Sequence, residues 1–209
     1  MRMNRWVLSG VALVMLTQSR GHAINAAVTD ADIHRATVIA TGTKEVRARF
    51  HAPYILPVSD PIVDRIDVIT EFRRFVLASE EQAALGNWMV ARGGHDAKRR
   101  TLKDILEPWR GQVAIRLSVR FHPQHRYSSL PPIDVLVGEP SFLALDVVRT
   151  PQMAPLMSLK NDEKTSVMTG AIIDTLFNAQ SLEDRALPVR VVFDGKEIVR
   201  VTADFARLE

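Results

Sequence analysis

From Gln112 to Phe121 the chain alternates without a break: Val113, Ile115, Leu117, Val119 and Phe121 are apolar, and Gln112, Ala114, Arg116, Ser118 and Arg120 stand between them. Successive side chains of a strand point to opposite faces, so this segment reads as a strand with one face in a core and the other in water. Clean alternation of this kind belongs to antiparallel sheets, because strands of parallel sheets are covered on both faces and read as continuous apolar runs.

The same period predicts a strand over 45–51, with Val46, Ala48 and Phe50 opposite Glu45, Arg47, Arg49 and His51. It predicts a longer, bent strand from Arg65 through Leu77, and further strands at Thr37–Thr41, Ile133–Val137, Phe142–Arg149, Ala171–Phe177, Pro188–Phe193 and Glu197–Ala203. Asp194-Gly195 joins the last two, and this pair suits a two-residue hairpin turn with positive φ at both positions. Helix is expected in one short insertion around 79–109. Ser79-Glu80-Glu81-Gln82 and Thr101-Leu102-Lys103-Asp104 have the form of capping boxes there, Gly93-Gly94 separates them, and Leu102, Ile105, Leu106 and Trp109 share a stripe that Pro108 ends.

Many strands and one helical insertion predict a mainly β fold, a two-layer antiparallel β-sandwich in a single domain. The closing segment, with Phe177, Leu182, Val189, Val191, Asp194-Gly195-Lys196 and Val199, resembles the final strands of bacterial immunoglobulin-like domains. That resemblance covers roughly the last 35 residues and implies a fold, not an activity.

The start of the chain predicts export. Arg2 and Arg5 precede an apolar run from Trp6 to Leu16, and small residues stand at Gly21 and Ala23, the order of a secretory signal peptide over residues 1–23, with the domain at 24–209. The run is too short for a permanent span, which needs about 20 apolar residues. Removing Arg2, Arg5 and Arg20 from 27 basic residues leaves 24, which balances the 24 acidic ones. The basic excess therefore lies in the segment to be discarded and argues for no nucleic-acid partner. Cysteine is absent, which excludes disulfides, a lipid-anchoring cysteine, thiolate zinc sites and thiol nucleophiles, and points to a bacterial envelope protein, periplasmic or secreted.

Few residues offer chemistry. His122 and His125 follow the clearest strand and, with Asp134, would be candidate metal ligands if the fold closed them together; His51 is another donor. Ser128 and Ser129 lie near the same residues in sequence, but no Gly-x-Ser-x-Gly elbow is present. The pairs Asp30/Asp32 and Asp162/Glu163 read as a helix start and a loop tip, and Asp96, beside His95, as a helix cap. Glycine patterns that cradle phosphate are missing, and no cofactor is called for. Arg47 and Arg49 on one predicted strand, Arg116 and Arg120 on another and Arg73-Arg74 on a third would form a guanidinium-rich face if those strands were neighbours. Such a face suits an acidic envelope polymer; the alternative is a solvated face paired with Glu45, Asp67 and Glu71. Trp88 and Trp109 are read as anchors of the helical insertion, with sugar stacking as the alternative.

These features predict an exported, non-catalytic module that binds or supports an envelope partner. The rival is a small metal-dependent or hydrolytic enzyme centred on His122, His125 and Asp134. A third reading is an assembly subunit that pairs strands through an edge, for which the Phe142–Val148 segment is the candidate.

Overall fold

The computed structural model describes residues 28–92, 106–122, 124, 127–155, 166–182 and 185–208, with the backbone alone for 86–92. The predicted signal peptide, Gly93-Gly94, His95-Asp96, the Thr101–Asp104 capping box, His125, Asp162/Glu163 and the Trp88 side chain lie outside the described residues. Among those residues no helix is long and apolar enough to cross a membrane.

The first described residues form helices where alternation predicts strands. Thr29 caps helix α1 (Asp30–Ala40): its hydroxyl accepts from the Asp32 N–H at 3.3 Å while the Asp32 carboxylate accepts from the Thr29 N–H at 2.9 Å. The hydroxyl of Thr43 does the same for Val46 at the start of α2 (Lys44–His51). Thr37–Thr41 and 45–51 are thus helical or in the turn that ends a helix, because local caps satisfy the backbone before any partner strand is available. Arg47 and Arg49 therefore sit on a helix rather than on a strand's outer face.

The long bent strand is also corrected. It ends at Ile69, and Thr70 caps α3 (Glu71–Arg92), its hydroxyl accepting from the Arg73 N–H at 3.2 Å. Phe72, Phe75, Val76 and Ser79 are buried at helical spacing. Ser79 starts no helix: it lies inside α3, its hydroxyl buried without a hydrogen-bond partner. The apolar side of α3 packs with Ala36 of α1 and with Leu106, and Phe50 of α2 meets Phe72 edge to face at 5.8 Å.

The remaining elements are strands β1 (Ile55–Leu56), β2 (Val63–Ile69), β3 (Gln112–Arg120), β4 (Ile133–Val137), β5 (Asp146–Pro155), β6 (Ser166–Asn178), β7 (Ala186–Phe193) and β8 (Lys196–Asp204), with a short helix α4 (Ala179–Leu182) after β6. They form two open antiparallel sheets, one ordered β1-β2-β3-β6-β5 and the other β4-β7-β8. Strand accounts for 43% and helix for 33% of the described residues, so the protein is mixed α/β rather than mainly β, and helix is not confined to an insertion around 79–109.

The two sheets share one core. Val113, Ile115, Leu117 and Val119 of β3 meet Ile133, Val135 and Val137 of β4 and Val189, Val191 and Val199 of the second sheet. Burying each such side chain contributes about 1.5–3 kcal/mol. The predicted hairpin is present: Asp194 and Gly195 have φ of 49° and 74°, and β7 pairs with β8 on either side. On the outer face of the large sheet, Ile69, Ala114 and Leu176 pack with Leu77 of α3 and with Trp109.

Candidate functional site

The outer face of the five-stranded sheet carries the charged residues. Register sets Asp67 beside Arg116 and Arg116 beside Asp174, so one row across the sheet alternates in sign. Arg116 binds Asp174 through Nε at 2.7 Å and Nη2 at 2.9 Å, a bidentate pair. Arg120, further along β3, meets Asp64 at 2.8 Å. Arg116 and Arg120 are thus paired within the fold, while Arg47 (half-buried) and Arg49 (exposed) stand apart on α2. The four do not make one face of adjacent strands.

Deeper in the same face lies a buried network that sequence reading missed. Arg73, 2% exposed, donates to Asp67 Oδ1 at 2.6 Å and to the Val68 carbonyl at 2.6 Å. Arg65 holds the other side of Asp67, with Nε at 2.6 Å. Burial would raise the Asp67 carboxyl, but the hydrogen bonds and charges of Arg65 and Arg73 outweigh it and hold the group below its usual range. Arg73 Nε also donates to His51 Nδ1 at 3.4 Å, which leaves the ring proton on Nε2, facing Glu80 at 3.1 Å. His51 thus belongs to this network. Next in sequence, Arg74 stacks on Trp109 at 3.7 Å, and burial lowers its guanidinium to about 10, so it remains a cation at neutral pH. The Trp109 face is filled by the chain's own arginine. Arg73, Asp67, Arg65, His51 and Glu80 thus answer one another, whereas the buried Nε of Arg74 has no hydrogen-bond partner among the described residues.

The candidate metal ligands are placed as follows. Asp134 is on β4, where its carboxylate accepts from Arg149 of β5 at 3.0 Å, an ion pair that ties the edges of the two sheets together. His122 is exposed just after β3, with its Nδ1 accepting from the Gln124 N–H at 3.3 Å. Ser128 and Ser129 are exposed in a bend. Among the described residues no group of three or more acidic, histidine or cysteine side chains could hold a metal. An open depression beside the start of β2, lined by Val58, Ser59, Asp60, Pro61, Val63 and Asp64, is built around a turn in which the Asp60 carboxylate accepts from the N–H groups of Ile62 and Val63 at 2.8 and 3.0 Å.

β5 is different in kind. Among the described residues it pairs with β6 on one side and forms the edge of the sheet on the other, and none of its residues is buried. The Phe121 N–H donates to the Thr169 carbonyl at 2.9 Å, so odd-numbered residues of β6 face β3 and even-numbered ones face β5. The even residues of β5 therefore bond to β6, and the N–H and C=O groups of Val147 and Arg149 point to the open side. Pro151 also points its nitrogen outward, the orientation an edge tolerates in proline. The outward Val147 N–H is met by the Asp146 carboxylate at 2.8 Å. Beside this edge are four exposed apolar side chains, Leu143 (90% exposed), Leu145 (55%), Val148 (44%) and Met153 (53%). Compared with known proteins, the chain matches no family model, no curated protein and no solved structure.

Proposed function

We propose that this chain is an exported, non-catalytic β-sandwich module of the immunoglobulin-like type that binds a protein partner in the bacterial envelope through the open edge of β5. The observation that carries the reading is the edge itself: an exposed ten-residue strand with outward backbone groups and apolar side chains along it. Long exposed edges are templates for strand addition, in which main-chain hydrogen bonds supply affinity and alternate side chains specificity. The fold part of the reading is supported by strand order. With β1 set aside, β2-β3-β6-β5 opposite β4-β7-β8 follows the A-B-E-D and C-F-G arrangement of the constant-type immunoglobulin fold, with α3 inserted between its first two strands. Export is supported by the basic start, short apolar run and small residues of 1–23.

The charged face adds no second ligand site to this reading, since Arg65, Arg73, Arg116 and Arg120 are spent on internal carboxylates. The metal or hydrolytic reading would need Asp134 to release Arg149. The test is a photoreactive residue placed at Val148 or, as controls, at exposed Val38 of α1 and Val46 of α2, in the producing cell. Adducts arising from Val148 above the controls are expected; adducts absent at Val148, or equal at all three positions, would overturn the reading.

A further inference from the structure

Resting on the edge-binding reading, we propose that the occupant of the edge is a second copy of this chain, with the two β5 strands paired antiparallel about a two-fold axis centred on Val148. Directly opposed side chains in an antiparallel pair share a face of the sheet, so a two-fold pairing of β5 with itself must be centred on a residue. The geometry selects among the centres. One on Arg149 opposes two guanidiniums. A centre on Val147 opposes Arg149 to Leu145, whose N–H is already given to the Leu176 carbonyl at 2.7 Å. With the centre on Thr150, Arg149 faces Pro151, which has no N–H. A centre on Val148 sets Val147 of each copy against Arg149 of the other, and these residues have complete outward N–H and C=O pairs.

The same register sets Val148, 44% exposed in the single chain, against Val148 of the second copy across the axis. No like charges are opposed. Asp146 falls opposite Thr150: when the Val147 N–H moves from the Asp146 carboxylate to the Arg149 carbonyl of the second copy, that carboxylate can accept the Thr150 hydroxyl instead. Within one chain, Asp146 thus occupies the place that the second copy's carbonyl would take. The product is one continuous sheet made from two five-stranded ones, closed by the two-fold axis and unable to grow into a filament through the same edge.

The experiment is sedimentation velocity over a concentration series, on protein purified from the producing cell with whatever N-terminus the cell leaves. The wild type is expected to pass from monomer to dimer. Val148→Lys, which sets two like charges across the axis at an exposed position, should weaken the dimer by about tenfold or more, while Val38→Lys on α1 should leave it unchanged. A wild type that stays monomeric up to about 1 mM, or a Val148→Lys dimer as tight as the wild type, overturns self-pairing. The photoreactive residue at Val148 separates this failure from that of the edge reading. An adduct of twice the mass of the chain as the cell leaves it supports self-pairing. Adducts of other masses only overturn self-pairing and leave edge binding standing, and no adduct overturns both.

Discussion

β3 and β5 are strands of similar length in the same sheet, and both bond to β6, yet they dispose of their residues in opposite ways. β3 is paired on both sides. Its apolar residues fill the core between the sheets, and its arginines meet Asp174 and Asp64. β5 is paired on one side, buries none of its residues, and leaves Val148 and Met153 in water. A central strand's side chains are answered within the fold, so they describe how the protein holds together. An edge strand's are not, so they describe what it can meet.

Substitutions should divide along the same line. The largest loss is expected on the answered side, from Asp67→Ala. It would leave Arg73 buried without its carboxylate and should cost about 3–5 kcal/mol in denaturant unfolding. Leu117→Ala in β3 opens a cavity between the sheets and should cost about 2–5 kcal/mol, with the denaturant slope unchanged. Stability should also fall in acid. The Asp67 carboxyl is held below its usual range in the fold, so its contribution is complete above the unfolded value and is lost as pH drops through the folded one. Unfolding measured from pH 6 down to pH 2 should show this loss, and Asp67→Ala should flatten it. Asp174→Asn removes the charge facing half-exposed Arg116 and should cost about 1 kcal/mol. Val148→Lys on the unanswered side should change stability by no more than about 0.5 kcal/mol. A large loss from that last variant would erase the contrast between the two strands.

Legibility in the sequence followed how local each signal was. β3, β4 and the β7–β8 hairpin were readable because alternation over a full strand and the Asp194-Gly195 turn are local features that the tertiary structure reinforces. Val46, Ala48 and Phe50 misled because three alternating residues are too short a run to exclude a helix, on which Val46 and Phe50 share a side and Ala48 stands opposite, and the Thr43 cap starts that helix. The start of α3 was missed by reading the β2 alternation past Thr70, although Phe72, Phe75, Val76 and Ser79 carry helical spacing. The Phe142–Arg149 strand begins later, at Asp146, and runs on to Pro155. Its place at the edge depends on strand order, which only long-range pairing decides. The Arg73–Asp67 network was hidden for the same kind of reason: both residues were visible, but helical geometry brings the arginine back over the strand it follows.

The most direct test of the open edge is amide hydrogen exchange along β5 in dilute and in concentrated protein. The account predicts that Val148 and Thr150, bonded to β6, exchange slowly in both, and that Val147 and Arg149 exchange fast when dilute and slow when concentrated. Rapid exchange of Val147 and Arg149 at every concentration would contradict pairing between copies, and slow exchange of both in the most dilute sample would show that the edge is not open.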